Sequence, residues 1–323
     1  MAGRARRNNP LAKCSDADFI NLIDKHGIAK TGRKLGITVS AVYQRRRCLE
    51  RLYHRQITAP GPLATRHNIE HAPRLHYDCL NGVVLVGSDA HIWPGPMTTA
   101  MRGFIKLAKE LQPRIVVMNG DALDLPQVSR HPPIGWQKLP SVEDEVRAAQ
   151  DVLAKIEDAV PGNCKLSWPL GNHDARFETR LATTSNEFAK MHGFSLKDHF
   201  PAWAACWSTW VNNTVVIKHR MSGGIGAVRN NTLKAGKSIV TGHLHSLKVT
   251  PYTDYNGDRY GVDSGCLADP AAEAFLSYTE DGCLDWRSGF VVLTFHKGKL
   301  LPPELVQVWD KKHVVFRGQI IEV

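Results

Sequence analysis

The sequence predicts an α/β protein in which two mixed β-sheets pack face to face between helical layers, preceded by a small all-α module. Two observations lead to this prediction. From Gly82 onward, short apolar runs alternate with helical segments, which is the pattern of buried strands in an α/β sheet. Before that point the chain is strongly basic and its apolar residues recur with helical spacing.

The charge of the chain divides it into the same parts. The 323 residues carry 41 Lys and Arg against 31 Asp and Glu, a net charge of +10. Residues 1–56 hold 13 of the basic and 4 of the acidic side chains, so this segment alone carries +9. Segment 57–81 lacks apolar periodicity and is expected to be a linker with exposed histidines such as His71 and His76. Residues 82–323 would form the nearly neutral body.

The composition excludes several classes of protein. With 43% apolar and 22% charged residues, the chain is neither disordered nor fibrous. Its 7 cysteines are odd in number and have no paired spacing, which predicts reduced thiols. No apolar run approaches the roughly 20 residues of a membrane span, and the basic N-terminus leads into no apolar signal sequence. We therefore expect a cytoplasmic protein without a membrane partner.

Three short helices are predicted in the basic segment. Ser15 can cap the first helix, and Gly27 can end it. Residues 28–35 fit a second helix. Thr38 or Ser40 can cap the third, whose apolar residues recur at helical spacing.

The segment 29–43 resembles the helix-turn-helix of DNA-binding regulators. Gly32 would lie where two helices cross closely, and Gly36 would make the turn. The alternative is a helical packing module with a solvated basic face. In the helix-turn-helix interpretation, the third helix enters the major groove and nearby basic residues contact phosphates. The candidate contacts are Arg33, Lys34, Ser40, Tyr43, Gln44, Arg45, Arg46, Arg47 and Arg51. Nucleic acid, with DNA favoured, is the expected partner, and a homodimer is compatible with such a module.

Five predicted strands of the body each end in polar residues. The strands are 83–88, 114–118, 166–170, 215–218 and 238–241, and helices are predicted at 98–111 and 143–160. The polar residues at the strand ends are Asp89, His91, Asp121, Asn172, His173, Asp174, His219, His243 and His245. Strand ends form the binding edge of an open α/β sheet, so we expect a site there. Further strands at 248–252, 259–262, 289–295 and 305–308 should complete a second sheet.

Carboxylates and imidazoles without thiolates suit Mn²⁺, Fe or Zn²⁺ better than copper or an iron–sulfur cluster. One ion needs only about three to six of these groups, so the surplus favours two ions. Asp121 is central enough in the sequence to bridge them.

Together, the blocks resemble those of calcineurin-like metallophosphoesterases. The blocks are Asp89-x-His91, Gly120-Asp121, Gly171-Asn172-His173-Asp174, His219 and Gly242-His243-x-His245, in the family's order. The resemblance covers residues 82–250 by motif and implies the two-sheet fold with two divalent ions, Mn²⁺ before Fe, Zn²⁺ or Ni²⁺. It implies one ion on Asp89, His91 and His245, and a second on Asn172, His219 and His243, with Asp121 bridging.

The resemblance also implies roles for residues that do not bind metal. His173 would donate a proton to the leaving oxygen or steady the phosphoryl group, and Asp174 would orient His173. Apart from the resemblance, the position of Arg176 just after the Asn172-His173 block makes it a candidate to clamp a substrate phosphate; the alternative is a surface residue at a helix start. The metal ions would activate a water for in-line attack on phosphorus. Weaker candidates for the substrate pocket are Asp124, His131 and Trp93.

Three functions remain open on these grounds. The favoured one is a phosphodiesterase or nuclease that acts on DNA or DNA ends. The second is a phosphomonoesterase for nucleotides or phosphoproteins, tethered to DNA by the basic module. The third is a DNA-binding regulator whose body senses a metal or nucleotide. The same metal site can serve mono- and diesterases, so the sequence leaves the substrate open.

Overall fold

A computed structural model describes residues 14–52, 71–131, 138–189, 191–272, 275 and 285–323. The chain divides into two compact units, residues 1–70 and 71–323. The helices in the described part are α1 (Asp16–Leu35), α2 (Val39–Leu52), α3 (Thr99–Leu111), α4 (Val142–Ala159), α5 (Asp174–Thr184), α6 (Leu196–His199) and α7 (Ala227–Ala235).

The strands of the second unit are short and numerous. They are β1 (Leu75–Tyr77), β2 (Gly82–Gly87), β3 (Ile115–Met118), β4 (Lys165–Pro169), β5 (Ala204–Cys206), β6 (Thr209–Val211), β7 (Val215–Ile217), β8 (Ser238–Thr241), β9 (Lys248–Asp254), β10 (Gly257–Asp263), β11 (Gly289–His296), β12 (Lys299–Leu300), β13 (Glu304–Val308), β14 (His313–Phe316) and β15 (Gln319–Glu322). Two 3₁₀ turns, Pro126–Val128 and Asn186–Phe188, lie in the loops.

These strands form two mixed sheets, which confirms the predicted fold class. The larger sheet runs β15-β14-β13-β11-β2-β3-β4-β5, with β12 beside β11. Strands β2 to β5 are parallel, and β11 joins β2 in antiparallel register. The smaller sheet runs β1-β6-β7-β8-β10-β9, with β7, β8 and β10 parallel.

The alternation along β2 shows how the layers pack. Val84 and Val86 belong to the core between the two sheets. Leu85, which points to the opposite face, belongs with Phe104 of α3 to the core under the outer helices. Helix α4 packs on the same outer face through residues such as Leu153, and α7 contacts β8, β9 and β10 of the smaller sheet. The helices cover the faces of the sheets, so the carboxyl ends of the parallel strands remain uncovered. The loops that carry the site lie at these ends.

Two features of the second unit differ from the sequence prediction. Of the C-terminal strands, only β9 and β10 join the smaller sheet, whereas β11 to β15 extend the larger one because β11 pairs with the open side of β2. Residues 71–81 were expected in the linker, but β1 pairs with β6 in parallel register. His71 is buried rather than exposed. Its Nε2 lies 2.6 Å from Glu178 Oε2, and this contact ties residue 71 to the second unit. His76 is exposed as predicted.

The N-terminal unit contains the expected helices. Helix α1 is interrupted at Gly27, whose φ of 74° and ψ of 170° are not helical. Thr38 caps α2 by accepting the backbone N–H of Ala41 at 3.2 Å. A Cβ on Gly32 would lie 3.0 Å from the carbonyl oxygen of Ile37, which is tighter than most real Cβ contacts, so a larger residue would push this turn outward by a few tenths of an ångström. A small core of Phe19, Ile20, Ile23, Val42 and Leu49 holds α1 and α2 together.

Within the described residues, no helix is both long and apolar enough to cross a lipid bilayer.

Candidate metal centre

The loops that follow the parallel strands of both sheets meet at one place. Asp89 follows β2 and Asp121 follows β3 in the larger sheet, while His219 follows β7 and His245 follows β8 in the smaller one. His245 Nε2 lies 3.0 Å from Asp89 Oδ1, and His219 Nε2 lies 3.0 Å from Asp121 Oδ2. Strand ends of the two sheets therefore bring acidic and imidazole groups together, as the sequence predicts.

The side chains at this place form three groups with the composition of metal sites, two of which consist of predicted ligands; the third is His91, Asp124 and His173. In each group the potential ligand atoms lie within 4.8 Å of one another. The first group is Asp89, His91 and His245, and the second is Asp121, His219 and His243. Asp89 Oδ1 lies 3.9 Å from His219 Nε2, so the two groups are in direct contact. Such an arrangement can hold two ions that share a carboxylate.

The backbone at these residues adopts an uncommon conformation. Non-glycine residues with positive φ are rare and concentrate at functional sites, where the surrounding structure enforces them. Five of the predicted ligands have positive φ, between 41° and 71°: Asp89, His91, Asp121, His243 and His245. The fold thus holds the chain in strained turns that aim these side chains at one point.

Two glycines of the sequence blocks are required by close approach to the acidic groups. A Cβ on Gly171 would lie 2.0 Å from Asp121 Oδ1, and a Cβ on Gly242 would lie 2.6 Å from Asp89 Oδ2. These distances are below any real carbon–oxygen contact, so a larger residue would displace the carboxylates. The glycines therefore keep space for the carboxylates of the site.

Several buried atoms at this place have no hydrogen-bond partner among the described residues. His219 Nδ1 donates to the carbonyl oxygen of Asn119 at 2.8 Å, which leaves the Nε2 lone pair of the neutral ring facing Asp121. Among the described residues, the buried atoms without a hydrogen-bond partner include His91 Nε2, Asn172 Oδ1 and His219 Nε2. Carbonyl oxygen and imidazole nitrogen are ligands for divalent ions, so these residues fit a metal.

The electrostatics of these side chains also favour a cation at this place. Burial alone would raise the pKa of Asp89, but the charges of His245 and His219 outweigh it and lower the pKa to about 2. Burial alone would lower the pKa of His219, but the charges of Asp121 and Asp89 outweigh it and raise the pKa to about 10. The negative charge of Asp89 and Asp121 can be balanced by a proton on His219 or by a divalent cation.

A second cluster of polar side chains lies beside the two ligand groups. Asp124 Oδ1 lies 2.6 Å from His173 Nδ1 and 3.3 Å from His91 Nδ1. Arg176 donates from Nη1 to the carbonyl oxygen of Asp124 at 2.8 Å, and its Nη2 lies 3.1 Å from His173 Nε2. His173 Nε2 is also 3.9 Å from Asp121 Oδ2, so this face of the ring looks toward the ligand groups.

The partner of His173 is therefore Asp124, and the expected role of Asp174 is wrong. Asp174 is fully buried, and its two oxygens accept hydrogen bonds from five N–H groups. The donors are the backbone N–H groups of Asp121, Ala122, Leu123 and Gly171 and the indole N–H of Trp168. Asp174 joins the loop after β3 to the loop after β4, which fixes the relative positions of Asp121 and His173.

Glu145 of α4 supports the same loop and was missed by the sequence analysis. Its Oε1 accepts the backbone N–H groups of Asp124 at 2.8 Å and Leu125 at 2.7 Å. Burial raises the pKa of Glu145 to about 7, against the opposing effect of these two hydrogen bonds. A charged residue on the buried face of an amphipathic helix was the available signal, since such a residue needs a partner in the fold.

The cavity next to His91 has a volume of about 880 Å³. Its walls include Trp93, Met97 and Phe275, whereas His131 is exposed and is not among its lining residues. Of the weaker candidates, the structure thus places Trp93 at the cavity and Asp124 on the predicted catalytic histidine.

Four of the predicted DNA contacts on α2 share one face. Ser40, Tyr43, Gln44 and Arg47 are exposed and follow the spacing of a single helical stripe. Arg33 and Lys34 near the end of α1 are exposed too. The side chain of Arg51 lies outside the described part of the chain.

Two of the predicted arginine contacts are engaged within the module. Arg45 donates to the carbonyl oxygen of Cys14 and to Asp16, and its guanidinium lies 4.6 Å from the ring centroid of Phe19. Its exposed fraction is only 16%, so it is placed to stabilise the module rather than to meet a phosphate. Arg46 forms an ion pair with Glu50 at 2.9 Å.

Neither family models nor the sequences of curated proteins match this chain. Among solved structures, similar ones include wild-type Vps29 of Entamoeba histolytica complexed with zinc, at 14% identity and a TM-score of 0.40, covering 74% of this chain and 98% of that chain. Another is a dimetal phosphatase of Danio rerio, at 10% identity and a TM-score of 0.37, covering 71% and 95% of the two chains. Likeness at this level says nothing about chemistry, which the side chains themselves must carry.

Proposed function

We propose that the second unit is a metal-dependent phosphoester hydrolase of the calcineurin-like type that the sequence blocks resemble. The observation that carries the proposal is the pair of contacting ligand groups, with Asp121 and Asp89 at their junction and unpartnered ligand atoms aimed inward. Asn172 would complete the second group through its buried Oδ1. When bound, two divalent ions would supply an acidified water and a Lewis acid for the phosphoryl oxygen.

The chain's own residues would position the substrate and manage one proton. Asp124 holds Nδ1 of His173, so Nε2 is the atom turned to the substrate. Nε2 would donate a proton to the leaving oxygen once the ring is doubly protonated and the Arg176 N–H has moved from Nε2 to the substrate. The guanidinium of Arg176 can only donate hydrogen bonds, and its Nη2 now contacts His173 Nε2. A phosphoryl oxygen of the substrate would be an alternative acceptor for the same N–H group. No side chain needs to act as a nucleophile in this scheme.

We also propose that the N-terminal unit binds DNA and that the ester hydrolysed is a phosphodiester of nucleic acid. The exposed stripe of Ser40, Tyr43, Gln44 and Arg47 supports the first part, together with the net charge of +9 over residues 1–56. The second part is supported by the presence of the basic unit and the hydrolytic unit in one chain. Nucleic acid is thus better supported as a partner than as the substrate.

The test is hydrolysis of single- and double-stranded DNA and RNA by the full chain with Mn²⁺, next to an Asp121→Ala variant. We expect cleavage or end processing by the wild-type chain alone. A preference for p-nitrophenyl phosphate over bis-p-nitrophenyl phosphate, without cleavage of nucleic acid, would replace the diesterase by a DNA-tethered phosphomonoesterase. DNA binding without hydrolysis of any ester would leave a regulator with a sensing body.

A further inference from the structure

The cavity beside His91 is a built pocket and not part of the metal centre itself. The loop that follows β2, residues 90–98, forms one wall, and Ala268, Ala272 and Phe275 form part of another. Its volume of about 880 Å³ lies in the roughly 300 to 1,000 Å³ range of pockets that bind small molecules. The pocket is therefore large enough for an organic group of the substrate.

The pocket is continuous with the proposed metal centre through two rings. His91 lines the pocket and belongs to the first ligand group. Phe275 also lines the pocket, and its ring meets that of His91 edge to face, with centroids 5.3 Å apart at 90°. One substrate molecule could therefore place an organic group in the pocket and its phosphorus atom near His91, with only a short linkage between the two.

The chemistry of the walls favours a planar ring with a polar edge. Ile92, Met97 and Met101 supply apolar surface, and Trp93 adds an aromatic ring. The indole Nε1 of Trp93 is buried away from the open space of the pocket, so Trp93 contributes the surface of its ring to the wall.

Two charged residues of the lining complete this pattern. Lys138 and Asp269 are exposed, and they add a donor and an acceptor to the polar groups of the pocket. An aliphatic chain would make no use of these two polar groups, and the small side chain of a phosphoserine would leave most of the volume empty. A nucleobase has apolar faces for the aromatic and aliphatic walls and both donors and acceptors at its edge.

We propose that this pocket binds the nucleobase of the nucleoside esterified to the scissile phosphate. The inference rests on the proposed phosphoesterase function and goes beyond it, because it names the group that the enzyme would select. Trp93 would be a specificity residue that acts on the base and not on the phosphorus.

The kinetic test compares two p-nitrophenyl phosphodiesters with the same leaving group, one of thymidine monophosphate and one of methyl phosphate. Base stacking corresponds to roughly a 5- to 100-fold preference, so we expect kcat/KM to favour the thymidine ester by about that factor. Trp93→Ala should reduce this ratio about tenfold, and Trp93→Phe should restore part of it. The matched control is Trp207→Ala, since Trp207 is 46% exposed and does not line the pocket.

A binding measurement separates this inference from the proposed function. Equilibrium dialysis of thymidine and adenosine against the metal-free full chain requires neither turnover nor a phosphate. We expect binding that Trp93→Ala weakens about tenfold and Trp207→Ala leaves unchanged. Equal turnover of both esters, or nucleoside binding that is absent or indifferent to Trp93, would overturn the base pocket while leaving the hydrolase intact. Nucleoside binding without hydrolysis of either ester would support the pocket and reject the proposed function.

Discussion

Asp124 Oδ1 lies 2.6 Å from Nδ1 of His173, whereas Asp174, the neighbour of His173 in sequence, uses its oxygens on backbone and indole N–H groups. The two aspartates therefore have different tasks. Asp124 orients the predicted proton donor, and Asp174 fixes the loops that carry the site. Their substitutions should consequently affect different measurements.

Asp124→Asn should lower kcat for bis-p-nitrophenyl phosphate by about 10- to 100-fold, because such a partner orients the catalytic ring. KM and thermal stability should change little, since the asparagine oxygen can still accept from His173. Metal content is measured alongside, because Asp124 Oδ1 also lies 3.3 Å from Nδ1 of the predicted ligand His91. Steady-state kinetics together with a melting curve checks this. The control is Asp158→Asn on the exposed side of α4. A fall in melting temperature that accounts for the lost activity would show that Asp124 is only structural.

Asp174→Asn should destabilise the fold, because an amide nitrogen would face N–H donors that now point at a carboxylate oxygen. We expect a loss of about 3 kcal/mol or more in the free energy of unfolding. In a chain of this size, this corresponds to a fall of roughly 6 to 12 °C in melting temperature. Differential scanning calorimetry of the metal-free protein measures it. An unchanged melting temperature with low kcat would instead return Asp174 to the catalytic role expected from the sequence.

The comparison of these aspartates shows what the sequence could reveal. The ligand groups were predictable because polar residues after parallel strands converge on one sheet edge wherever the fold is of this class. The pairing of Asp124 with His173 was not, because it depends on how the loop after β3 turns. That turn is set by backbone N–H groups of the loop that donate to the carboxylates of Glu145 and Asp174, which are distant in sequence. Adjacency in sequence was a poor guide to contact here.

The fold shows the same division. The strands that deliver the site were predictable from their apolar runs. Strand β1 was not, because its three residues, Leu75 to Tyr77, are too few to show a period and are ordered by pairing with β6. The sheet to which β11 belongs was likewise not predictable from its sequence, because it depends on tertiary pairing with the open side of β2.

Glu145 should make stability depend on pH. The pKa of Glu145 is raised to about 7 in the folded protein, so the protonated side chain stabilises the fold. This contribution to the free energy of unfolding is fully present below the pKa that Glu145 has in the unfolded state, and it is lost as pH rises through about 7. From about pH 5 to about pH 8, ionisation of Glu145 should lower the free energy of unfolding of the wild type by roughly 2 to 3 kcal/mol. Glu145→Gln should not show this decrease. Urea unfolding of both proteins at the two pH values measures the difference. Parallel pH curves for the two proteins would contradict the assignment.

Arg47→Ala should weaken binding of the full chain to DNA and reduce the slope of log affinity against log salt by about 1, if Arg47 neutralises one phosphate. Fluorescence anisotropy over a range of salt concentrations measures the slope. Arg147→Ala is the matched control, because Arg147 is an exposed arginine of α4 that pairs with Glu143. Equal slopes for all three proteins would exclude the exposed face of α2 from the DNA interface.

The central claim is that Asp121 and its neighbours hold the ions that hydrolyse a phosphoester. The most direct measurement is a titration of chelator-treated protein with Mn²⁺, following metal binding and hydrolysis of bis-p-nitrophenyl phosphate in the same samples, with Asp121→Asn alongside. We predict that activity appears with bound metal and saturates at two ions per chain, and that Asp121→Asn loses about 100-fold or more in kcat. Wild-type protein that binds no Mn²⁺, or that binds it and hydrolyses no faster than Asp121→Asn, would contradict the account.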